Sequence, residues 1–110
     1  MKQGTLSLSI EVFELNELFE LLRKGSRAFE MKQLDLEVEP TDACVKADRA
    51  LTLFMINTLA ENARKYTPKG GKVRIYARQE NDFVEISVED NGCGLSLEDI
   101  NHIILLPRSE

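Results

Sequence analysis

The chain has 110 residues, with 14 lysines and arginines against 19 aspartates and glutamates, so its formal net charge is −5. Hydrophobic residues make up 43% of the chain and charged residues 30%, which is typical of a soluble globular protein with a single domain at this length. The acidic balance argues against a nucleic-acid-binding protein. No apolar run approaches the roughly 20 residues of a membrane helix, so no membrane segment is expected.

The charge is unevenly distributed along the chain. Residues 1–42 carry five basic and nine acidic side chains, residues 43–82 eight and four, and residues 83–110 one and six. The middle block is therefore cationic, and between Arg64 and Arg78 it contains no acidic residue. A cationic stretch in an acidic protein suggests a small anionic ligand, although a solvated basic face explains it equally well.

Hydrophobic periodicity predicts the secondary structure in chain order. Alternating apolar residues predict strands over residues 6–12, 34–38, 44–47, 72–79 and 83–90, and helical spacing predicts helices over residues 15–31 and 49–66. Beyond residue 95 a short helix start is expected, and after it the pattern fades. Helices that alternate with hairpin-linked strands favour an α+β fold, a two-layer α/β sandwich with a mixed sheet and helices on one face.

Three local signals delimit the second helix. Asp48 is a good N-cap residue. The helix is expected to stop at Thr67-Pro68, because the residue before a proline is disfavoured in the helical region. Gly70 and Gly71 then predict a turn into the next strand.

Asn62 is the first candidate functional residue. A stripe recurs every three to four residues and is predicted to face the sheet: Leu51, Met55, Thr58 or Leu59, Asn62 and Tyr66. An amide there costs on the order of 1–3 kcal/mol unless it is hydrogen-bonded. Asn62 is therefore either a core amide satisfied by the backbone or a polar group lining a cleft for a ligand or metal.

Asp90 is the second candidate. It has the parity of the apolar residues of its strand, which predicts that it points to the buried side, where a carboxylate needs a donor or a positive charge. Gly92 and Gly94 follow it and would let the backbone approach a ligand closely. Such Asp-Gly turns are common, so this motif alone is weak.

Together these residues form a more specific pattern. An Asn oxygen is a suitable Mg²⁺ ligand, and the ammonium of Lys65 can neutralise a phosphate. Tyr66 offers a ring to a base, and Asp90 can accept a hydrogen bond from an exocyclic amine. The set fits a purine nucleotide with Mg²⁺.

The motifs also resemble a known family. The run Asn-Thr-Leu-Ala-Glu-Asn-Ala-Arg-Lys-Tyr-Thr-Pro-Lys-Gly-Gly at residues 57–71 resembles the N box of sensor histidine kinases, and Val-Glu-Asp-Asn-Gly-Cys-Gly-Leu at residues 88–95 resembles their first glycine box. Both boxes belong to the superfamily that includes DNA gyrase, MutL and heat-shock chaperone ATPases. Residues 4–48 are also similar to the segment that opens the kinase catalytic domain.

The resemblance implies an ATP-binding catalytic domain over residues 1–110. It implies that Asn62 holds Mg²⁺, that Lys65 contacts phosphate and that Tyr66 packs on adenine. It further implies that Asp90 takes the adenine amine. Gly92 and Gly94 would hinge a lid.

Two departures from the family limit the expected chemistry. The hydrolysing relatives have a glutamate four residues before the metal-binding asparagine, where this chain has Thr58, so no catalytic residue is assigned and Glu61 is only a poor substitute. The second glycine box, Gly-x-Gly-x-Gly, is absent, because no glycine follows Gly94. We therefore expect a domain that is C-terminally incomplete, by nature or by truncation, and not catalytically competent alone.

The resemblance also implies partners. ATP would be the phosphoryl donor, a histidine on a separate dimerisation domain the acceptor, and a response regulator the next partner, in the cytoplasmic part of a membrane-anchored sensor. Missing strands would leave an exposed sheet edge and promote self-association. Two alternatives remain: a non-catalytic interaction module of the same fold that holds nucleotide weakly or not at all, and a serine kinase of the anti-sigma type.

Overall fold

A computed structural model describes residues 8–90 and 102–109. Its elements are β1 (Ile10–Glu14), α1 (Leu15–Lys24), α2 (Arg27–Met31), β2 (Asp35–Val38), β3 (Cys44–Asp48), α3 (Arg49–Tyr66), β4 (Lys72–Gln79), β5 (Phe83–Asp90) and β6 (His102–Ser109). The helix start expected beyond residue 95 lies outside the described residues. Within them, none of the helices combines the length and the apolar character that crossing a bilayer requires.

Helix α3 has the predicted bounds. The Asp48 carboxylate accepts hydrogen bonds from the backbone N–H of Leu51 at 2.9 Å and of Ser9 at 2.8 Å. These two bonds stabilise the ionised form and hold the pKa of Asp48 below its ordinary value. At the other end Thr67 has extended backbone angles, φ −88° and ψ 124°, as expected before Pro68. The cap and the proline therefore fix the length of the helix.

The helix predicted over residues 15–31 is in fact two helices. Gly25 donates its backbone N–H to the carbonyls of Leu21 and Leu22 and ends α1, and Ser26 precedes α2. Glycine and serine are poor residues for a helix interior. The apolar spacing continues across this break, so periodicity alone predicted one helix.

The described part of the chain forms a sheet of six strands in the order β1-β3-β6-β5-β4-β2. Strands β4 and β5 form the predicted antiparallel hairpin, and β2 pairs with β4 in parallel, so the sheet is mixed. The predicted turn before β4 is present, with Gly70 at φ +90°, where a side chain would be strained.

Strand β6 was not predicted, and it occupies an interior position between β3 and β5. Both of its pairings are antiparallel. Among the described strands the two edges of the sheet are therefore β1 and β2. The expectation that strands are missing from the domain stays a prediction.

The core lies between the sheet and the helices. It includes Phe19 of α1, Ile56 of α3 and the inward residues Val84, Ile86 and Val88 of β5. The α+β architecture with helices on one face is thus confirmed.

Strand β1 departs from the predicted half-buried pattern. Leu8, Ile10 and Val12 are exposed, whereas Phe13 is buried in the core. The alternation correctly predicted a strand, but the side chains of Ile10 and Val12 lie on the face of the sheet that carries no helices.

Thr67 carries a polar group that the fold leaves unsatisfied. Its Oγ1 is buried and has no hydrogen-bond partner among the described residues. An unsatisfied buried hydroxyl costs about 1–3 kcal/mol, and valine has the same shape without it. We expect Thr67→Val to raise the free energy of unfolding by about 1 kcal/mol, measured by urea denaturation.

Thr52 offers the matched control for this prediction. It is equally buried, but its hydroxyl donates to the carbonyl of Asp48 at 2.7 Å. Thr52→Val should therefore lower the free energy of unfolding by about 1 kcal/mol. Equal effects of the two substitutions would contradict the assignment of Thr67 as unsatisfied.

Candidate functional site

The last turns of α3 bring three candidate residues to one side of the helix. Lys65 and Tyr66 lie three and four residues after Asn62, and such positions are neighbours on a helix surface. The helix ends directly after them, because Pro68 prevents its continuation. An amide, an ammonium group and a phenol ring are therefore grouped at one helix end.

The buried stripe of α3 differs from the predicted one. Thr52, Ile56, Ala60 and Ala63 are buried against the sheet. Asn62 is half-buried beside this row, and its amide makes no hydrogen bond with the described residues. The prediction that Asn62 lies on the sheet-facing stripe is wrong by about one position, because its neighbour Ala63 occupies the buried row instead. Asn62 is therefore not a core amide satisfied by the backbone. Asn62 lies where the helix borders accessible space.

The other two residues of the helix end are more open. The Tyr66 side chain is 76% exposed, and Lys65 is also exposed. The backbone carbonyl of Lys65 accepts a hydrogen bond from the Lys32 ammonium at 3.0 Å, and so does that of Arg64 at 2.6 Å. A cation at a helix C-terminus is stabilising, so Lys32 stabilises the end of α3. It contacts only the backbone of Lys65 and leaves the Lys65 ammonium group available.

Glu61 is already paired within its own helix. Its Oε1 accepts from Arg64 Nε at 3.0 Å and from Nη2 at 2.5 Å. A carboxylate held in this ion pair is a poor general base, which agrees with the absence of an assigned catalytic residue.

Asp90 ends β5 on the helix-covered side of the sheet. It is half-buried and shares the parity of the core residues Val84, Ile86 and Val88. The adjacent Glu89 points to the other face. Since α3 packs against β5, the structure puts Asp90 and Asn62 on the same side of the sheet. Gly92 and Gly94 lie outside the described residues.

A cavity of about 310 Å³ lies between α3 and β6 and extends the accessible side of α3. It is lined by Phe54, Met55, Thr58, Leu59, Ile103 and Ile104. Thr58 is one helical turn before Asn62. The sequence analysis did not predict this cavity, because it did not predict β6, which supplies two of the lining residues. The apolar pair Ile103-Ile104 was the signal in the sequence that could have indicated that strand.

Three of the six cations between Arg64 and Arg78 form ion pairs: Arg64 with Glu61, Lys72 with Glu37, and Arg74 with Glu39. Lys72 Nζ lies 2.9 Å from Glu37 Oε1, and the hydrogen bond and charge of Lys72 hold the pKa of Glu37 below its ordinary value. Arg74 pairs with Glu39 and lies 3.7 Å from Glu89. Lys72 and Arg74 therefore compensate neighbouring acids on the sheet, and the suggestion of a small anionic ligand rests on the remaining cations, Lys65 among them.

The end of α3 offers one oxygen ligand for magnesium, the side-chain amide oxygen of Asn62. Among residues 8–90 and 102–109 no three His, Cys, Asp or Glu side chains cluster to hold a metal by themselves. Mg²⁺ is commonly held by one or two protein oxygens together with substrate phosphates and water. The unbonded amide oxygen of Asn62 suits that role.

A mixed sheet covered by helices on one face is the fold of histidine kinase ATPase domains. Residues 47–110 match the family of histidine kinase-, DNA gyrase B- and HSP90-like ATPases. The chain belongs to this family, and the predicted resemblance is confirmed.

Curated relatives of the chain are sensor kinases. The alginate biosynthesis sensor protein KinB of Pseudomonas aeruginosa is 33% identical over 72% of this chain and 14% of its own length. The histidine protein kinase DivJ of Caulobacter vibrioides is 37% identical over 64% of this chain and 12% of its own length. The chain thus spans about an eighth of the relatives it matches.

Solved structures agree with this assignment. The catalytic domain of histidine kinase ThkA superposes with a TM-score of 0.71 and 25% identity, over 82% of this chain and 64% of its own. Histidine kinase AdeS of Acinetobacter baumannii gives a TM-score of 0.72 and 25% identity, over 83% of this chain and 46% of its own. Family and fold together support the role of an ATP-binding domain.

Proposed function

We propose that this chain is the ATP-binding domain of a two-component sensor histidine kinase and binds ATP together with Mg²⁺. The observation that carries the proposal is the grouping of Asn62, Lys65 and Tyr66 on one accessible side of α3. The half-buried Asp90 lies on the same side of the sheet. Membership of the ATPase family supports the same ligand.

Each side chain has a distinct role in this proposal. Asn62 Oδ1 contributes one metal oxygen, and Lys65 neutralises phosphate charge. The exposed ring of Tyr66 packs on adenine, and Asp90 accepts a hydrogen bond from the adenine amine. Gly92 and Gly94 allow the backbone to approach the nucleotide.

The chemistry in the parent protein would be transfer of the γ-phosphoryl group to a histidine of a separate dimerisation domain. Bound Mg²⁺ supplies neutralisation of the phosphate charge. The residues of this chain hold and orient the donor, so none of them needs to act as a covalent nucleophile. We propose that the chain alone is not catalytically competent.

A response regulator would receive the phosphoryl group next. One solved neighbour is histidine kinase ThkA in complex with the response regulator TrrA, with a TM-score of 0.59 over 80% of this chain. That complex supports the same class of partner here, in a cytoplasmic part of the sensor.

A second function is favoured by the connection between β5 and β6. Residues 91–101 alone join Asp90 to His102, and the chain has no glycine after Gly94. This connection therefore contains no Gly-x-Gly-x-Gly motif that could cradle the phosphates. This observation favours a non-catalytic interaction module of the same fold with weak or no nucleotide binding.

Calorimetric titration with Mg-ATP separates the two functions. We expect saturable binding by the native chain and a loss of affinity on the order of 100-fold in Asn62→Ala, because a metal ligand is removed. Asn57→Ala is the matched control, since it makes the same change at an exposed position of α3. Absence of binding by the native chain would contradict the nucleotide site and support the interaction module.

A further inference from the structure

The end of α3 carries backbone carbonyls that the helix does not satisfy by itself. Inside a helix each carbonyl accepts from the N–H four residues later, so the last carbonyls need other donors. The carbonyl of Ala63 still receives the N–H of Thr67 at 2.9 Å. The carbonyl of Arg64 would take the N–H of residue 68, but Pro68 has none. Because Thr67 is extended, the chain also leaves the helical path before the carbonyl of Lys65 meets its regular donor.

One side chain from another part of the chain donates to both of these carbonyls. Lys32 Nζ lies 2.6 Å from the carbonyl oxygen of Arg64 and 3.0 Å from that of Lys65. Hydrogen bonds from a charged donor are stronger than those between neutral groups, and this ammonium group also faces the negative end of the helix dipole. The last turn of α3 is therefore held by a residue that lies outside the helix.

Lys32 is itself fixed by its neighbours. It follows α2 directly and lies between the buried side chains of Phe29 and Leu34. The backbone N–H groups of Lys32 and Leu34 both donate to the carbonyl of Phe29, at 3.2 Å and 2.9 Å. The carbonyl of Gln33 accepts the N–H of Gly70 at 3.0 Å, in the turn that follows α3. The loop between α2 and β2 thus contacts both the last turn of α3 and the turn after it.

Two candidate side chains depend on the backbone of this last turn for their positions. Tyr66 is 76% exposed and Lys65 is also exposed, so packing against the core fixes neither of them. Asn62, by contrast, lies one turn earlier, beside the buried Ala63. The backbone of the last turn therefore determines where the Lys65 ammonium group and the Tyr66 ring stand.

We propose that Lys32 is a positioning residue of the nucleotide site, which holds Lys65 and Tyr66 in place through the carbonyls at the end of α3. This inference rests on the proposed function. Without the Lys32 ammonium group, two carbonyls lose their donor and the last turn frays. The nucleotide must then order both side chains when it binds, and that ordering lowers the affinity.

Calorimetric titration with Mg-ATP tests the proposal. Lys32→Met removes the ammonium group and keeps a long side chain, and it should weaken binding about tenfold, as the loss of a group that orients a ligand does. Lys32→Arg should restore most of the affinity, because a guanidinium group has donors for both carbonyls. Lys46→Met is the matched control, since Lys46 is exposed on β3, and it should bind as the native chain does. Far-UV circular dichroism verifies that each variant is folded.

The titration also separates this inference from the proposed function. If the native chain and Lys32→Met bind Mg-ATP equally well, the positioning role is overturned and the proposed function stands. If the native chain does not bind Mg-ATP, the proposed function is contradicted, and the inference with it.

Hydrogen exchange without nucleotide distinguishes a positioning role from a direct contact. The amides of Lys65, Tyr66 and Thr67 should exchange at least fivefold faster in Lys32→Met, because the last turn opens more often, while the amide of Ile56 in the middle of α3 stays unchanged. Weaker binding without faster exchange would mean that Lys32 contacts the nucleotide itself, and would overturn the positioning role.

Double-mutant cycles show whether Lys32 acts through the two side chains. Lys32→Met should cost less affinity in a Lys65→Met or a Tyr66→Ala background than in the native chain, because part of what Lys32 positions is then missing. Equal costs in all three backgrounds would overturn the proposal.

Discussion

Asp90→Asn is expected to weaken ATP binding by about 10- to 100-fold and to remove the preference for ATP over GTP. A hydrogen bond to a charged group is worth about 1.5–3 kcal/mol, and a carboxylate accepts from the adenine amine but repels the guanine carbonyl oxygen. An amide can donate to that oxygen, so the loss for GTP should be smaller or reversed. Competition titrations of ATP against GTP, with Mg²⁺ in excess, measure both effects.

The neighbouring residue provides the control for this substitution. Glu89 stands on the opposite face of the sheet, where it accepts a hydrogen bond from Tyr76 at 2.5 Å. That bond, more than burial, raises the pKa of Tyr76. Glu89→Gln should leave the ATP-to-GTP preference unchanged. A common effect of both substitutions would contradict a specific role of Asp90.

Phe19→Ala is expected to lower the free energy of unfolding by about 3–5 kcal/mol. The Phe19 ring is fully buried in the core, so its removal leaves a cavity that the surrounding side chains fill only in part. A small domain has about 5–15 kcal/mol of stability in total, so the variant should be close to unfolding at moderate temperature. Urea denaturation at one fixed protein concentration measures the change.

The same substitution at an exposed phenylalanine separates burial from residue type. Phe54 on α3 is 66% exposed, and Phe54→Ala should change the free energy of unfolding by no more than about 0.5 kcal/mol. Equal losses at Phe19 and Phe54 would mean that the core is not where the structure puts it.

The elements that were predicted correctly are those set by local chemistry. Asp48 and Pro68 delimit α3, and the alternation of β4 and β5 defines their hairpin. These signals lie within a few residues of the structure that they produce. The helical break at Gly25 was also local, but a continuous apolar spacing concealed it.

The features that were missed depend on non-local contacts. β6 pairs with the preceding strand β5 at six register positions and also with β3, which lies about 60 residues earlier in the chain. Its five residues 102–106 do not alternate in polarity, so neither pairing was predicted. The sheet-facing side of α3 was misplaced because apolar residues such as Leu51, Phe54 and Met55 occur on several of its sides. Only the packing shows that Ile56 faces the sheet.

The sequence predicted which residues form the candidate site, and the structure shows how they are arranged and how accessible they are. The grouping of Asn62, Lys65 and Tyr66 follows from helical spacing, whereas their accessibility does not. The cavity beside Thr58 could not be predicted without β6. The roles of these residues toward a nucleotide stay predictions.

Paramagnetic broadening by Mn²⁺-ATP tests most directly whether the end of α3 and the end of β5 share one nucleotide. Mn²⁺ occupies oxygen sites of the magnesium type and broadens the NMR signals of nuclei close to it. We predict that the amide signals of Asn62, Lys65 and Asp90 broaden together at substoichiometric Mn²⁺-ATP, while those of β1 stay sharp. Broadening at only one of the two ends, or at neither, would contradict a shared metal–nucleotide site.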